Sequence, residues 1–344
     1  MYKQTQQLIM TKRLSGIYPG VVYGFINQQG EEVKAQGLAQ VFPTEEKMTP
    51  NKRFDVASLT KVVCTTTVLL KLWEAGAIDW DHPLQRYLPA FKNQRITLRH
   101  LLTHTSDIRT WIANRDRLSA EDLREAYLAL EPGSSLGQVV QYTDAGTILL
   151  GFMLEELYQR PVIEVFRQEV LVPLGMDHSG FLPEKGELTD IVPTERLSKN
   201  QVLRGVTHDP KARILGAHAG NAGLFTDVED LLIFCRMLLA HGRAADGRSY
   251  LQPETVALLQ QDQTPSGLGH RSLGWDLRPG ASKKATPALF HTGYTGTFLL
   301  IDVAVGEAFV FLSNRVHPTD RREVYLKERD ELIDVYQKER GAES

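Results

Sequence analysis

Apolar residues recur along this chain with two different periods. Residues 21–27 are apolar and rich in β-forming types, and after a turn at 28–30 a second such run covers 33–41, which predicts an antiparallel hairpin. Further along, the period becomes that of helices, at about 58–75, 96–102, 119–130, 142–158, 162–171 and 227–241. Short β-rich runs return late, at 289–291, 297–303 and 308–313. A charged final helix follows at 321–340.

The order of these elements predicts the fold class. Strands lie at the two ends of the chain and helices fill the middle. We therefore expect an α/β (α+β) fold, with an antiparallel sheet built from both chain ends, flanked by helices, and an inserted all-helical domain. The predicted boundaries place the sheet domain at 1–57 and 265–344 and the helical domain at 58–264.

Composition narrows the classes of function. The chain has 344 residues, of which 24% are charged, and a formal net charge of −3. This balance gives no field that would attract nucleic acid or an anionic membrane, and no partner protein is evident. No apolar run suits a signal peptide or a membrane span, so we expect a cytoplasmic protein, or a secreted one if a leader was removed. Cys64 and Cys235 are interpreted as small buried hydrophobic residues.

The first candidate site lies at the start of the helix predicted at 58–75. Residues 54–61 read FDVASLTK, in which Lys61 follows Ser58 by three positions. On a helix these two residues share one face, so the Lys61 amine can contact the Ser58 hydroxyl. Unpaired N–H groups in the first helical turn favour developing negative charge, which makes Ser58 a candidate nucleophile. The alternative is that Ser58 only caps the helix and Lys61 is solvated.

Two further short motifs would complement Ser58. Residues 142–144 (YTD) open a helix, which presents Tyr142 at the end of an element. Residues 291–296 (HTGYTG) end a β-rich run, and glycine there allows close approach to the strand backbone. A strand edge beside a helix N-terminus can supply two N–H groups to one oxygen, as in an oxyanion hole. Taken singly, each motif is also consistent with simple packing.

Two other motifs compete with this site. Residues 133–137 (GSSLG) match the G-x-S-x-G elbow with Ser135 as nucleophile, but that elbow needs a preceding strand and the pattern here is helical. His100 and His104 are four positions apart on a predicted helix, as in some metal sites. No glutamate stands at the second position of that motif and no third ligand is obvious, so we expect no metal.

Taken together, the order and spacing of these motifs resemble a known family. S-x-x-K early, Y-x-[N/D] about eighty residues later and [K/H]-T-G near the C-terminus resemble the serine β-lactamase and penicillin-binding-protein superfamily. The similarity is to its class C-like branch, which includes class C β-lactamases, D-Ala-D-Ala carboxypeptidases and family VIII-type esterases. Residues 54–61 resemble the branch motif F-x-x-A-S-x-T-K, and residues 96–106 (ITLRHLLTHTS) resemble I-T-[IL]-R-x-L-L-x-H-T-S. The resemblance covers about residues 15–315.

The resemblance implies an acyl-enzyme mechanism in a cleft between the sheet and the helical domain. Ser58 would attack a carbonyl, Lys61 would help to remove its proton, and Tyr142 would pass that proton to the leaving group. The N–H groups of Ser58 and Tyr294 would hold the oxyanion, and water would release the acyl group without a metal or cofactor. The predicted catalytic residues are therefore Ser58, Lys61, Tyr142 and His291, and the predicted substrate-binding residues are Asp144, Thr292, Gly293 and Tyr294.

Two departures from the family pattern bear on the substrate. Asp144 stands where asparagine is usual, and His291, mostly neutral at pH 7, stands where β-lactamases have lysine. Both changes weaken the positive field that would hold a substrate carboxylate. We therefore predict a serine hydrolase for a small-molecule ester or amide, that is, an esterase or a peptidase/amidase. The alternatives are a β-lactamase, or a penicillin-recognising sensor that is acylated without turnover.

Overall fold

The computed structural model describes residues 1–281 and 286–343. The helices are α1 Lys3–Leu14, α2 Thr67–Glu74, α3 Leu98–Leu102, α4 Ala120–Leu128, α5 Ala145–Tyr158, α6 Val162–Phe166, α7 Val172–Leu174, α8 Pro210–Leu215, α9 Val228–Leu239, α10 Pro253–Leu259 and α11 Arg322–Glu343. Lys61–Thr66 and Arg167–Leu171 are π-helical, and short 3₁₀ helices cover Leu84–Arg86, Arg115–Arg117, Lys185–Asp190 and Gly216–His218. The strands are β1 Gly20–Asn27, β2 Gly30–Gln40, β3 Glu46–Lys47, β4 Phe54–Asp55, β5 Arg196–Ser198, β6 Gln201–Val202, β7 Phe225–Thr226, β8 Asp276–Arg278, β9 Ala288–Gly293, β10 Thr297–Asp302 and β11 Glu307–Ser313.

A seven-stranded sheet takes its strands from both ends of the chain, in the order β3-β2-β1-β11-β10-β9-β8. Strand β1 pairs antiparallel with β2 on one side and with β11 on the other, where Val21 lies opposite Ser313. Helices lie on the sheet and fill the middle of the chain. The predicted fold class is therefore confirmed, as are the N-terminal hairpin and the three late strands.

The two faces of the sheet build separate apolar cores, because successive residues of a strand point to opposite sides. Val21 and Tyr23 of β1 pack in one core with residues of α1 and α11. Val22 and the α9 residue Leu232 belong to the larger core on the other face. A Cβ at Gly24 would lie 3.0 Å from Leu232, so α9 packs directly on the sheet. The division into domains 1–57 with 265–344 and 58–264 stays a prediction.

Side chains cap the starts of several helices, and one helix near the site differs from its prediction. Side chains of Thr97, Ser119 and Asp227 accept N–H groups at the starts of α3, α4 and α9. The helix predicted at 58–75 instead has a π-helical first part before α2. Helix α5 begins at Ala145 and leaves residue 142 outside it. None of the described helices has the length and apolar character needed to cross a membrane.

Candidate active site

Ser58 is presented by a tight turn that follows β4. The preceding Ala57 has φ 47°, a left-handed conformation that costs a residue other than glycine about 1–2 kcal/mol. Asp55 is buried and its carboxylate accepts the Ala57 N–H at 2.8 Å, which stabilises that conformation. The Thr295 hydroxyl donates to the Asp55 carbonyl oxygen at 2.6 Å. A buried carboxylate and the edge of the sheet thus orient Ser58.

The Lys61 ammonium is buried among oxygen atoms. Its Nζ lies 2.7 Å from Ser58 Oγ, 2.7 Å from Asp144 Oδ1 and 3.1 Å from the Asn221 carbonyl oxygen. An ammonium has three N–H donors, and these oxygens together with the Tyr142 hydroxyl surround it. Burial alone would lower the pKa of Lys61, but the negative charge of Asp144 outweighs burial and the pKa is raised. Lys61 is therefore a cation that donates to Ser58 Oγ.

Asp144 lies between two lysines. Its Oδ1 contacts Lys61, and its Oδ2 lies 2.9 Å from the Nζ of Lys211. Burial would raise the pKa of Asp144, but the two ammonium groups hold it well below its usual range. Lys211 was missed at the level of sequence, although its helix α8 has a local start signal, an Asp209 cap followed by a proline at the first turn. Whether Asp144 also contacts substrate stays a prediction.

Tyr142 stands half exposed at the mouth of the site, before α5. Its ring packs on His104 at 4.5 Å between centroids, and the Thr143 N–H donates to His104 Nδ1 at 3.4 Å. The Lys61 Nζ is 5.3 Å from the centre of the Tyr142 ring. The structure thus brings the tyrosine of the second motif to the Ser58–Lys61 pair, as predicted.

The end of β9 lies directly against the turn before Ser58. A Cβ at Gly293 would be 2.3 Å from the Val56 carbonyl oxygen, so this close approach requires glycine. Thr292 and Tyr294 line the same cleft as Ser58. The Tyr294 ring stacks on His208 with centroids 5.4 Å apart. The predicted third motif is therefore adjacent to the predicted nucleophile.

His291 is buried in β9 beside this cleft, with its ring centroid 6.0 Å from that of Tyr142. Burial, reinforced by the positive charges of Lys61 and Arg271, lowers the pKa of His291 well below 6.5. The residue is thus neutral at pH 7, as the sequence predicted. Its pKa is lower than the ordinary value, so it becomes charged only at lower pH than a free histidine does.

The cleft beside Ser58 has a volume of about 720 Å³ and a positive lining. Seven Lys/Arg side chains and four Asp/Glu side chains contribute to it. The Cζ of Arg271 lies 5.7 Å from the centre of the Tyr142 ring, and its Nη1 is buried without a hydrogen-bond partner among the described residues. The weaker positive field expected from Asp144 and His291 stays a prediction, and other side chains add positive charge near them. Arginines from segments distant along the chain supply the charge that those two positions lack.

Ser135, the competing nucleophile, lies in a turn outside the cleft lining. Its N–H donates to Asp107 Oδ2 at 2.7 Å. The preceding regular helix is α4, and α5 begins only at Ala145. The strand–turn–helix context that a G-x-S-x-G elbow requires is therefore not formed here.

The predicted histidine pair does not form a ligand cluster. His100 Nδ1 accepts the Thr97 N–H at 3.1 Å, and His104 Nδ1 accepts a different backbone N–H at 3.4 Å. Across the described parts of the chain, the group with the spacing of metal ligands is formed by His178, Asp227 and Asp230, near the start of α9. These residues already hydrogen-bond one another.

Comparison with known proteins bears on the family. The family model described as Beta-lactamase matches residues 7–332. The N-acetylmuramyl-L-alanine amidase of Bacillus subtilis (strain 168) is 26% identical over 362 aligned positions, covering 92% of this chain and 81% of the amidase. A match to the family model over most of the chain establishes membership.

Solved structures agree on the fold. EstCE1, described as a hydrolase with promiscuous acyltransferase activity, has a TM-score of 0.77 at 20% identity, over 96% of this chain and 97% of EstCE1. The β-lactamase/D-alanine carboxypeptidase of Pseudomonas syringae has a TM-score of 0.76 at 15% identity, over 96% of this chain and 97% of that enzyme. The prediction of a serine hydrolase of the β-lactamase-like superfamily is confirmed, and this chain belongs to the Beta-lactamase family.

Proposed function

We propose that this chain is a serine peptidase or amidase that is acylated on Ser58 and prefers substrates with a carboxylate near the scissile amide. The observation that carries the proposal is Arg271, whose guanidinium lies beside Tyr142 in the cleft and whose buried Nη1 finds no hydrogen-bond partner in the part of the chain that the structure describes. A guanidinium fits a carboxylate through two parallel hydrogen bonds. The similarity to proteins described as an amidase and a carboxypeptidase supports the same substrate class.

The geometry suggests how the reaction would proceed. Ser58 Oγ attacks the carbonyl carbon, its proton passes to the phenol oxygen of Tyr142, and the phenol passes its own proton to the scissile nitrogen, while Lys61 stays a fixed cation. The backbone N–H groups of Ser58 and Tyr294 stabilise the oxyanion. The C–N bond to the protonated nitrogen then breaks, the amine leaves, and water hydrolyses the ester formed with Ser58.

An esterase is the second candidate function, and neutral His291 favours it. A fixed lysine at that position would hold an anionic substrate, whereas a histidine whose pKa burial keeps low supplies no charge. The site would then accept uncharged esters through the same acyl-enzyme on Ser58. Substrate charge distinguishes the two candidates.

The first experiment tests the nucleophile. A fluorophosphonate probe should label the wild-type chain on Ser58, and Ser58→Ala should abolish labelling, because the acylated hydroxyl is gone. Ser135→Ala is the matched control and should be labelled like the wild type. Peptide mapping that places the adduct on Ser135 would overturn the assignment. A stoichiometric burst of nitrophenyl ester hydrolysis without steady turnover would indicate a sensor instead.

The second experiment tests substrate charge with a matched pair of peptides, one ending in a free carboxylate and one in its amide. Wild type should prefer the carboxylate in kcat/KM, and Arg271→Met should reduce that preference by at least tenfold, the scale of a charge-assisted pair. Arg271→Lys should retain part of it.

The control for this experiment is Arg329→Met. Arg329 also lines the cleft, but its charge is paired with Asp330 at 2.8 Å. We expect less than a twofold change in preference. A wild-type enzyme that favours the amide, or neutral esters, would contradict the peptidase proposal and favour the esterase.

A further inference from the structure

A closed ring of hydrogen-bonded polar groups lies behind the nucleophile. Lys61 Nζ is 2.7 Å from Asp144 Oδ1, and Asp144 Oδ2 is 2.9 Å from Lys211 Nζ. Lys211 Nζ is also 2.7 Å from Asp209 Oδ2. Asn221 completes the ring, because its side-chain amide donates to Asp209 at 3.3 Å and its carbonyl accepts from Lys61 at 3.1 Å. The ring contains two cations and two anions.

Each oxygen of Asp144 is matched to a different lysine. Lys61 is almost fully buried, so its position depends on the few groups that contact it. If the second oxygen of Asp144 lost its cation, the whole carboxylate charge would act on Lys61 alone. Opposite charges attract strongly at low effective dielectric, so the Lys61 Nζ would move toward Asp144 and away from Ser58 Oγ. Lys211 therefore opposes that displacement.

We propose that Lys211 is a positioning residue for acylation, which acts on Ser58 only through Asp144 and Lys61. Family members usually have an uncharged amide where this chain has Asp144, and Lys211 balances the added negative charge. The inference rests on the proposed function, since it concerns the rate at which Ser58 is acylated. Asp209 in turn fixes Lys211, and it also caps α8 by accepting the Ala212 N–H at 2.8 Å.

The other charged and titratable groups that face Asp144 and Lys61 do not replace Lys211. His104 and His291 are buried, and burial holds the pKa of both well below 6.5, so neither is a cation at neutral pH. Tyr142 is uncharged in its phenol form. Arg271 is a permanent cation, but its guanidinium lies over the Tyr142 ring.

A double-mutant cycle between Lys211→Met and Asp144→Asn tests the inference, with the second-order rate of Ser58 labelling by the fluorophosphonate as readout. Lys211→Met alone should lower the labelling rate about tenfold at pH 7, because it removes the positive charge beside Asp144. Lys211→Arg keeps that charge and should stay within about threefold of wild type. A tenfold change corresponds to one pKa unit. In the Asp144→Asn background, Lys211→Met should change the rate less than twofold. Circular dichroism and thermal unfolding establish that each variant is folded.

The pH profile gives a readout that a merely structural role would not move. Both lysines lower the pKa of Asp144. The labelling rate of Lys211→Met should therefore begin to fall at higher pH than that of wild type as the solution is acidified. Asp144→Asn should abolish this shift. A tenfold loss that persists in the Asp144→Asn background would overturn the inference, because Lys211 would then contact the substrate or support the fold directly. If Ser58 is never labelled in the wild type, the proposed function itself fails.

Discussion

Single residues set the charge of the cleft at neutral pH. His104 and His291 are both buried near Lys61. Burial lowers the pKa of each, and the neighbouring cations lower it further. The positive charge therefore comes from Lys211 and from arginines such as Arg271, which keep their charge throughout the physiological range. Histidine protonation is consequently linked to stability more than to substrate binding.

We predict that His291→Phe makes stability less sensitive to acid. The folded pKa of His291 lies well below 6.5, whereas the unfolded chain binds a proton near 6.5. As the pH falls below about 6.5 the unfolded state binds more protons, and the free energy of unfolding decreases. Urea unfolding at pH 7.5 and pH 5.5 should show wild type losing about 1 kcal/mol more than the variant.

His178→Gln is the control with the opposite sign. The hydrogen bond from its ring to Asp227 raises the pKa of His178, so its contribution to stability is present below pH 6.5 and lost as the pH rises. The His178→Gln variant should therefore lose more stability than wild type on going to pH 5.5. Equal losses for wild type and His291→Phe would mean that His291 is not buried in its neutral form.

The residues of the site differ in whether their neighbours in the sequence were enough to predict them. Ser58 and Lys61 were predicted because three positions on a helix bring them together, and the structure places them in contact at 2.7 Å. Tyr142 and His291 needed the resemblance to a family, since no local rule brings them to Ser58. Arg271 escaped prediction because its position depends on packing between segments that are distant in the sequence.

At the scale of elements, the site depends on the fit between the end of β9 and the turn before Ser58. Gly293 makes that fit possible, because a side chain there would overlap the Val56 carbonyl and the Thr297 hydroxyl. The π-helical turn that begins at Lys61 continues directly into α2, so a non-standard stretch of helix also lies at the site, as is frequent at functional positions. Both features set where N–H groups point.

Gly293→Ala should separate the two elements and lower Ser58 labelling by at least tenfold. The added Cβ would lie 2.2 Å from Thr297 Oγ1 and 2.3 Å from the Val56 oxygen, so the strand end must move. Overpacking of this kind costs about 1–3 kcal/mol, which urea unfolding measures. Gly180→Ala is the matched control, because no atom lies within 4 Å of its added Cβ. Normal labelling of Gly293→Ala would show that this approach does not position the oxyanion donors.

Elements with strong periodicity were predictable, and short ones were not. The hairpin, the three late strands and the final helix follow from patterns within the segments themselves. By contrast, β4 and β7 are two residues each and exist because Phe54 pairs with Thr226 and Asp55 with Phe225. Pairing across distant segments leaves little trace in local sequence. Helix α8 is intermediate. Asp209 and the proline after it are a local start signal, but the surrounding segment is rich in turn-forming residues and predicts no helix.

At the scale of the whole molecule, the cleft lies where parts of the chain from different regions meet. Ser58 and Lys61 follow β4, Tyr142 and Asp144 precede α5, and the proposed oxyanion segment follows β9. Strand β1 joins the strands from the two ends of the chain, with β2 on one side and β11 on the other. That both chain ends build one antiparallel sheet was predicted from the strand-like patterns near the two ends, whereas the order of the strands was not.

The pairing of the first strand with the last has a consequence for how the protein is made. During synthesis β1 and its hairpin partner emerge early, but the hydrogen-bonding edge that β11 covers stays open until residues 307–313 have been translated. Contacts so distant in sequence close slowly, and an open apolar edge is a site of misassociation in the meantime. Ser58 is therefore synthesised long before the strand beside it, and the proposed catalytic centre cannot form in the nascent chain until β9 to β11 have folded.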